Sequence, residues 1–172
     1  MIKIFKWWWA WKFEEVEDWL ERMEASGLRL VGTRLQVFFN FEKCIPTKAR
    51  YCIDYQTKLT PEYLTIISDD GWKLYQVGMG WYILRKEYQE ERPELYTDFE
   101  ALIARNKTLL AIILICLAME FVFLGSMIWS IVRYPSEGLI AETCILGALV
   151  LSLFTFAITN LAMQISKFSK RK

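Results

Sequence analysis

The chain has 172 residues, and 54% of them are hydrophobic, which is above the share in typical soluble proteins. Acidic residues outnumber basic ones up to residue 104, so this part lacks the basic surface of a nucleic-acid-binding domain. The sequence has no histidine, which removes the commonest general base and a usual zinc ligand. We therefore expect a protein that is not an enzyme, with no cofactor and no metal site.

The first predicted element is a strand that runs into an unusual aromatic cluster, KWWWAWK at residues 6–12. Alternation along a strand would place Trp7, Trp9 and Trp11 on one face and Trp8 on the other. Further large side chains are expected to extend the aromatic face of the sheet: Phe38, Tyr82 and Leu84. Three interpretations stay open for this face, namely packing in the core, contact with a partner or membrane, and a small-molecule site.

The segment after the cluster is predicted to be a helix. Phe13, Val16 and Leu20 recur at helical spacing, and Gly27 stands where a left-handed C-cap would end the helix. The same helix carries a run of acids that includes Glu14, Glu17, Asp18 and Glu21. This run would form either an ordinary solvated face or a docking surface for a basic partner.

The first 88 residues contain a pattern that repeats once. LERMEASGLRLVG at residues 20–32 aligns with LTIISDDGWKLYQ at residues 64–76, so that Gly27 pairs with Gly71. In each copy one predicted strand precedes the helix and two follow it. The sequence therefore predicts an α+β domain over residues 1–88, a duplicated βαββ unit with an antiparallel sheet and two helices.

A linker helix is predicted over residues 89–108. After Pro93, the apolar residues Leu95, Phe99, Leu102 and Ile103 fall on one side of a helix. Such a helix would lie at the lipid headgroups or continue directly into a membrane helix. Either arrangement would hold the domain close to a bilayer, because no Gly-, Ser- or Pro-rich tether intervenes.

Two long apolar runs follow, at residues 109–132 and 140–164. Each exceeds the roughly 20 residues that a helix needs to cross a bilayer, so we expect an all-α transmembrane hairpin. Basic residues flank the outer ends of this hairpin and fill the tail at residues 165–172, whereas the loop at 133–139 holds only Arg133. The positive-inside rule then predicts an external loop and two cytoplasmic termini. The four cysteines are expected to form no disulfides.

An acid, Glu120, lies near the middle of the first apolar run, where a carboxyl group is costly and indicates function. Stripes of small or weakly polar residues on both runs predict close helix contact: Ala111, Ala118 and Gly125, then Ala141, Cys144, Ala148, Ser152, Thr155 and Thr159. A hairpin closed through these stripes would aim Glu120 away from its own second helix. We therefore expect Glu120 to contact another copy or another membrane subunit. The alternative is a protonated Glu120 that bonds Ser152 or Thr155.

Three strings in the N-terminal part resemble a known family: FEEVEDWLERMEASGLRL, YCIDY and DDGWKLYQVGMGWYILRK. They are similar to the cytoplasmic domain of a family of Gram-positive bacterial membrane proteins that is catalogued as a domain of unknown function. The positions that carry the resemblance within residues 4–87 are Trp19, Leu20, Met23, Gly27, Asp54, Tyr55, Gly71, Trp72, Trp81 and Arg85. The resemblance implies a bacterial plasma membrane, genes beside PadR-type regulators, and an envelope or drug-stress setting. It implies no catalytic residue.

The sequence thus favours a membrane-anchored regulator or accessory subunit that acts through protein contacts at the cytoplasmic face. Its expected partners are the lipid bilayer and another membrane subunit or a second copy. The alternative is a membrane-tethered sensor, because duplicated βαββ units are similar in architecture to bacterial effector-binding domains. In those domains a curved sheet holds hydrophobic cations against aromatic side chains, and Asp54 would supply charge for such a ligand.

Overall fold

The computed structural model describes residues 1–95 and 99–170, which divide into two compact units, Met1–Thr97 and Asp98–Lys172. The N-terminal unit contains β1 Ile2–Phe5, α1 Phe13–Ala25, β2 Leu28–Arg34, β3 Phe38–Lys43, β4 Ala49–Tyr55, α2 Pro61–Asp69, β5 Lys73–Gly78 and β6 Trp81–Glu87. The C-terminal unit contains two long helices, α3 Phe99–Arg133 and α4 Glu137–Ser169.

The N-terminal unit is built as βαββ twice, which confirms the predicted fold. Its strands form two three-stranded antiparallel sheets, ordered β1-β3-β2 and β4-β6-β5. The order within each sheet is the same, since the strand before the helix pairs with the last strand of its copy. The two sheets meet where β2 lies next to β5.

Glycines end both helices of the N-terminal unit, as predicted. Gly27 has a φ angle of 88° and Gly71 has one of 80°. Both angles lie in the left-handed region, where a residue without a Cβ is favoured. These matching caps support the alignment of the two copies.

The tryptophan cluster does not continue the first strand, and this part of the prediction was wrong. β1 ends at Phe5, and residues 10–12 form a short 3-10 turn that leads into α1. The rings of Trp7, Trp9 and Trp11 still form one row, because Trp7 meets Trp9 edge-on and Trp9 stacks on Trp11 with centroids 5.0 Å apart. The chain must turn here to enter α1, so ring packing replaces strand alternation.

The core of the N-terminal unit contains two residues that were predicted on an open face. Tyr82 and Leu84 are buried, and Leu84 packs with Cys52, Ile67 and Trp72 beneath α2. They do not form part of an exposed aromatic surface.

The predicted linker helix starts later than expected. Residues 89–95 are not helical, and α3 begins at Phe99 and continues without a break through the first apolar run. Arg92 forms ion pairs with Asp18 and Glu21 of α1, and Leu95 packs against the core around Cys52. These contacts hold the segment against the N-terminal unit in a non-helical conformation.

α3 and α4 pack against each other in the C-terminal unit, and both are long and apolar enough to span a membrane. A Cβ on Gly147 would lie 3.3 Å from Leu124, and Asn106 Nδ2 donates to Gln164 Oε1 at 3.2 Å. The predicted closure through small faces was wrong, because both stripes of small residues point outward. The exposed residues include Ala118, Gly125, Ala141, Cys144, Ala148, Ser152, Thr155 and Thr159.

Candidate interaction surfaces

The acids of α1 cover the free edge of β4. Ile53 N donates to Glu17 Oε1 at 2.7 Å, and Tyr51 N donates more weakly to Glu21 Oε1 at 3.4 Å. Both amides point away from β6, and an edge with unpaired amides would be open to pairing with another strand. The two acids are one helical turn apart, and this distance matches the separation of alternate residues on the strand.

A buried arginine, Arg50, neutralises these acids. It approaches Glu17 Oε2 at 3.1 Å and Glu21 Oε1 at 2.9 Å, and Glu94 closes the cluster at 3.2 Å. Burial lowers the pKa of Arg50, but the surrounding anions, Glu17 among them, raise it above its ordinary value. The guanidinium therefore stays charged and fixes the α1–β4 contact.

A second buried ion pair joins the end of α1 to β6. Arg85 Nε donates to Glu24 Oε2 at 2.7 Å, and Tyr51 Oη donates to the same oxygen at 2.5 Å. Burial raises the pKa of Glu24, but the hydrogen bonds from Arg85 and Tyr51 outweigh it and leave that pKa below its ordinary value. Glu24 is thus a buried carboxylate with its charge fully compensated.

These contacts correct the predicted acidic docking face. Glu17 is 4% exposed and lies against β4, while Glu21 and Asp18 bind Arg92 of the segment after β6. Glu14 is exposed. The acids of α1 serve mainly to hold the N-terminal unit together.

A third buried carboxylate, Asp54, binds uncharged donors. Its Oδ2 accepts from Tyr63 Oη and from Gln56 Nε2, both at 2.8 Å, and its Oδ1 accepts from Tyr55 N at 2.8 Å. Burial raises the pKa of Tyr63, so its hydroxyl remains a donor. Asp54 is fully buried and links α2 to β4, so it does not face a ligand on the sheet surface. No cluster of metal-ligating side chains occurs within residues 1–95 and 99–170.

An aromatic groove lies at the end of the N-terminal unit where β1 ends. Its volume is about 220 Å³, and its lining includes Trp7, Trp8, Leu35, Val37 and Trp81. Trp8 Nε1 donates to Gln36 O at 2.8 Å, and the rings of Trp8 and Trp81 meet edge-on at 5.2 Å. Of the predicted aromatic face, Trp7 therefore borders a groove, whereas Trp11 is buried and Phe38 is half-buried.

Two hairpin tips project at the same end of this unit. Leu35 and Met79 are 75% and 85% exposed, and their φ angles are 53° and 51°. The sequence pattern predicts the first turn at Gly32 and Thr33, but β2 continues to Arg34 and the turn lies at residues 35–37. The second turn lies at residues 79–80, within the predicted Gly-Met-Gly sequence. Neither Leu35 nor Met79 was predicted as a site residue. The available signal was a bulky apolar residue at a position where turns favour glycine or asparagine.

The predicted intramembrane residues do not come together. Ser152 and Thr155 are exposed and donate to carbonyl oxygens of their own helix, at 2.7 Å to Leu149 and 2.8 Å to Leu151. Glu120 is half-buried and precedes Leu124, a residue at the seam with α4, by one turn. Glu120 therefore lies on the side of α3 that faces α4, contrary to the predicted orientation. Within the described parts of the chain, no hydrogen bond or ion pair reaches its carboxyl group.

The fold defines an α+β protein with two helices capable of spanning a membrane. The chain belongs to DUF2812, a family described as proteins of unknown function, whose model matches residues 12–118. The match includes both hairpin tips but excludes the residues before Lys12, and it ends before Glu120. Searches of curated proteins and of solved structures found no significant match.

Proposed function

We propose that this protein is a non-enzymatic, membrane-anchored regulator or accessory subunit that assembles with another helix inside the bilayer. The observation that carries the proposal is the bare stripe on α4, formed by Ala141, Cys144, Ala148, Ser152, Thr155 and Thr159, all of which are exposed. We call these six residues the α4 stripe.

The α4 stripe suits a second helix for a physical reason. Lipid tails are as apolar as leucine, so helices associate in membranes through close packing, which small residues permit. Within the hairpin, α4 instead buries Thr143 and Gly147 against α3. The small residues outside that contact are therefore left for another copy or another membrane subunit.

The carboxyl group of Glu120 supports the same proposal. An acid at this depth is costly unless a donor satisfies it, and no such donor contacts it within the described residues of the hairpin. The hydroxyls of Ser152 and Thr155 bond to their own helix. Glu120 is only half-buried beside α4, so its open side remains available to a polar group on a neighbouring subunit.

The proposed orientation places the N-terminal unit in the cytoplasm of a bacterial cell. Lys107 lies near the start of α3, and Lys167 and Lys170 lie at the end of α4, so basic residues gather at one end of the hairpin. A cysteine at Ser136, in a chain lacking the native cysteines, should react with an impermeant thiol reagent from outside intact cells. Reaction only after membrane rupture would reverse this orientation.

The buried carboxylates favour a structural rather than a catalytic role. Glu17, Glu24 and Asp54 each accept hydrogen bonds from groups of the same unit. Burial raises the pKa of the Cys52 thiol to about 12, which keeps it protonated and unreactive. These groups are committed to holding the fold.

Bulky substitutions in the α4 stripe test the proposal. Ala148→Leu should abolish chemical crosslinks and lower the mass of the complex in native gels of extracted membranes, because leucine prevents close approach. Cys116→Leu enlarges a small exposed residue of α3 outside the small-residue stripe of that helix, and it serves as the control. Equal assembly in both variants and the parent would refute the proposal.

The second candidate is a membrane-tethered sensor of an apolar or cationic small molecule, supported by the groove between Trp8 and Trp81. Its volume of about 220 Å³ lies below the roughly 300 Å³ at which typical ligand sites begin. A small quaternary ammonium ion such as tetramethylammonium would bind against these rings through cation–π contact. Saturable quenching of tryptophan fluorescence that Trp81→Leu removes would support the sensor; its absence would exclude it.

A further inference from the structure

The hairpin tips of the N-terminal unit combine two features that are each unfavourable for folding. Leu35 follows the last paired residue of β2, and Met79 follows the last paired residue of β5. Both residues occupy the left-handed region, which bulky side chains rarely adopt, and both expose a large apolar surface. Strain of this kind persists mostly where function requires it, and here it occurs in both copies of the repeat.

The two tips belong to one continuous surface. Gln36 Nε2, in the first hairpin, donates to Gly78 O, in the second, at 3.4 Å. Beside the tips lie Phe5 and Trp7, which are 59% and 58% exposed. We call Phe5, Trp7, Leu35 and Met79 the tip patch.

Basic residues lie on the segments that carry the tip patch. Residues 1–13, 32–41, 55–61 and 77–84 contain no Asp or Glu, and the exposed acids Glu14, Glu15 and Glu62 follow them in the two helices. The charged residues of these segments are Lys3, Lys6, Lys12, Arg34 and Lys58. Lys12 pairs with Glu15 of α1, and the other four leave a net positive rim.

The segment after β6 also runs toward this end of the unit. Tyr88 N bonds to Lys48 O at 3.1 Å, Glu94 binds Arg50 at 3.2 Å, and Leu95 packs beside Cys52. The segment after β6 therefore runs beside β4 and parallel to it. That direction leads to the end of the unit that carries the tip patch.

We propose that the tip patch rests on an anionic lipid surface, with Leu35 and Met79 inserted among the headgroups. Tryptophan prefers the membrane interface, and a basic rim is attracted to anionic lipids. Two projecting apolar loops suit a fluid surface, which needs no matching cavity. A bilayer is also close at hand, because the same chain supplies two helices able to span one. This proposal does not depend on the helix contact proposed for the α4 stripe.

The test uses the full chain, with its four cysteines replaced by alanine, in lipid nanodiscs. A single cysteine at position 35 or 79 carries the fluorophore NBD, and Ser68→Cys on α2 carries it as the control. Nanodiscs contain either phosphatidylcholine alone or a mixture with phosphatidylglycerol, and quenching is measured with headgroup-spin-labelled lipid and with aqueous iodide. We expect blue-shifted emission and lipid quenching at positions 35 and 79 in the anionic nanodiscs, and iodide quenching at position 68.

Charge reversal separates the lipid surface from other occupants. Arg34→Glu and Lys58→Glu should each reduce the ratio of lipid-contacting to free tips by about fivefold. Lys43→Glu and Lys48→Glu, at the opposite end of the unit, should leave that ratio unchanged. Iodide quenching at positions 35 and 79 in both lipid mixtures would overturn the proposal. Shielding from both quenchers would also overturn it, because a protein would then cover the patch.

Discussion

The carboxylate of Glu17 accepts a hydrogen bond of 2.7 Å from the backbone amide of Ile53, so a helix side chain completes the edge of a sheet. Arg50 approaches the other oxygen of the same carboxylate at 3.1 Å. One acid therefore satisfies a strand amide and a buried cation together. The acid-rich first helix is explained by this contact, which joins the first copy of the repeat to the second.

Removal of the Glu17 carboxylate should destabilise the N-terminal unit. Glu17→Ala leaves Ile53 N without its acceptor and Arg50 with one anion fewer, and breaking a buried ion pair costs about 3 kcal/mol. Glu62→Ala, at an exposed acid of α2, should change the free energy of unfolding by about 0.5 kcal/mol or less. Denaturant unfolding of the detergent-solubilised chain measures both. Similar stability of the two variants would show that the contact contributes little.

The buried pair of Glu24 and Arg85 predicts a pH-dependent contribution to stability. Because the folded pKa of Glu24 lies below its ordinary value of 4.5, the contribution is complete above pH 4.5 and is lost as the pH falls through the folded pKa. Glu24→Gln should cost about 3 kcal/mol at neutral pH. The difference in the free energy of unfolding between Glu24→Gln and the parent should shrink under acid conditions, as measured by denaturant unfolding. A difference that stays constant with pH would rule out this linkage.

The two glycine caps should differ in their tolerance of alanine. Both have positive φ, so each substitution carries backbone strain of about 1 kcal/mol. A Cβ at Gly27 would also lie 3.1 Å from the carbonyl oxygen of Cys44, whereas a Cβ at Gly71 meets open space. Gly27→Ala should therefore lower the melting temperature more than Gly71→Ala does. The reverse order would contradict the described turn.

Relief of strain at the hairpin tips should stabilise the fold. Leu35→Asn and Met79→Asn introduce asparagine, which tolerates the left-handed region. Each should therefore raise the free energy of unfolding by about 0.5–1 kcal/mol. Ile66→Asn, at an exposed apolar residue within α2, is the control and should not stabilise. Thermal melts in mild detergent give the comparison. Destabilisation by the tip variants would mean that their side chains already make stabilising contacts.

The repeated βαββ architecture could be predicted because it rests on local signals. Helical spacing around Leu20, the paired Gly27 and Gly71, and the apolar runs after residue 108 each specify structure within a short window. The backbone path through the tryptophan cluster could not be predicted, because it depends on a hydrogen bond from Trp8 to Gln36, which lies in a turn distant in the sequence. Strand alternation was a reasonable expectation that tertiary contacts override.

The site predictions failed where they required contacts between distant residues. Glu17 looked like one solvated acid among several, and only the placement of α1 against β4 shows that it is buried. Likewise, small residues on both apolar helices suggested a shared seam, but Leu124 packs at Gly147 and turns the α4 stripe outward. Periodicity identifies the faces of a helix, but it does not say which face meets its neighbour.

The proposed helix contact is tested most directly by crosslinking from the α4 stripe itself. Cys144 lies in the α4 stripe and Cys116 lies on an exposed face of α3, so two chains that each retain one of these cysteines form a matched pair. Each is treated in native membranes with copper phenanthroline, which oxidises two neighbouring thiols to a disulfide without adding bulk to either helix. We expect a disulfide-linked protein adduct from Cys144 and none from Cys116. No protein adduct from Cys144, or equal adducts from both positions, would contradict the proposed contact.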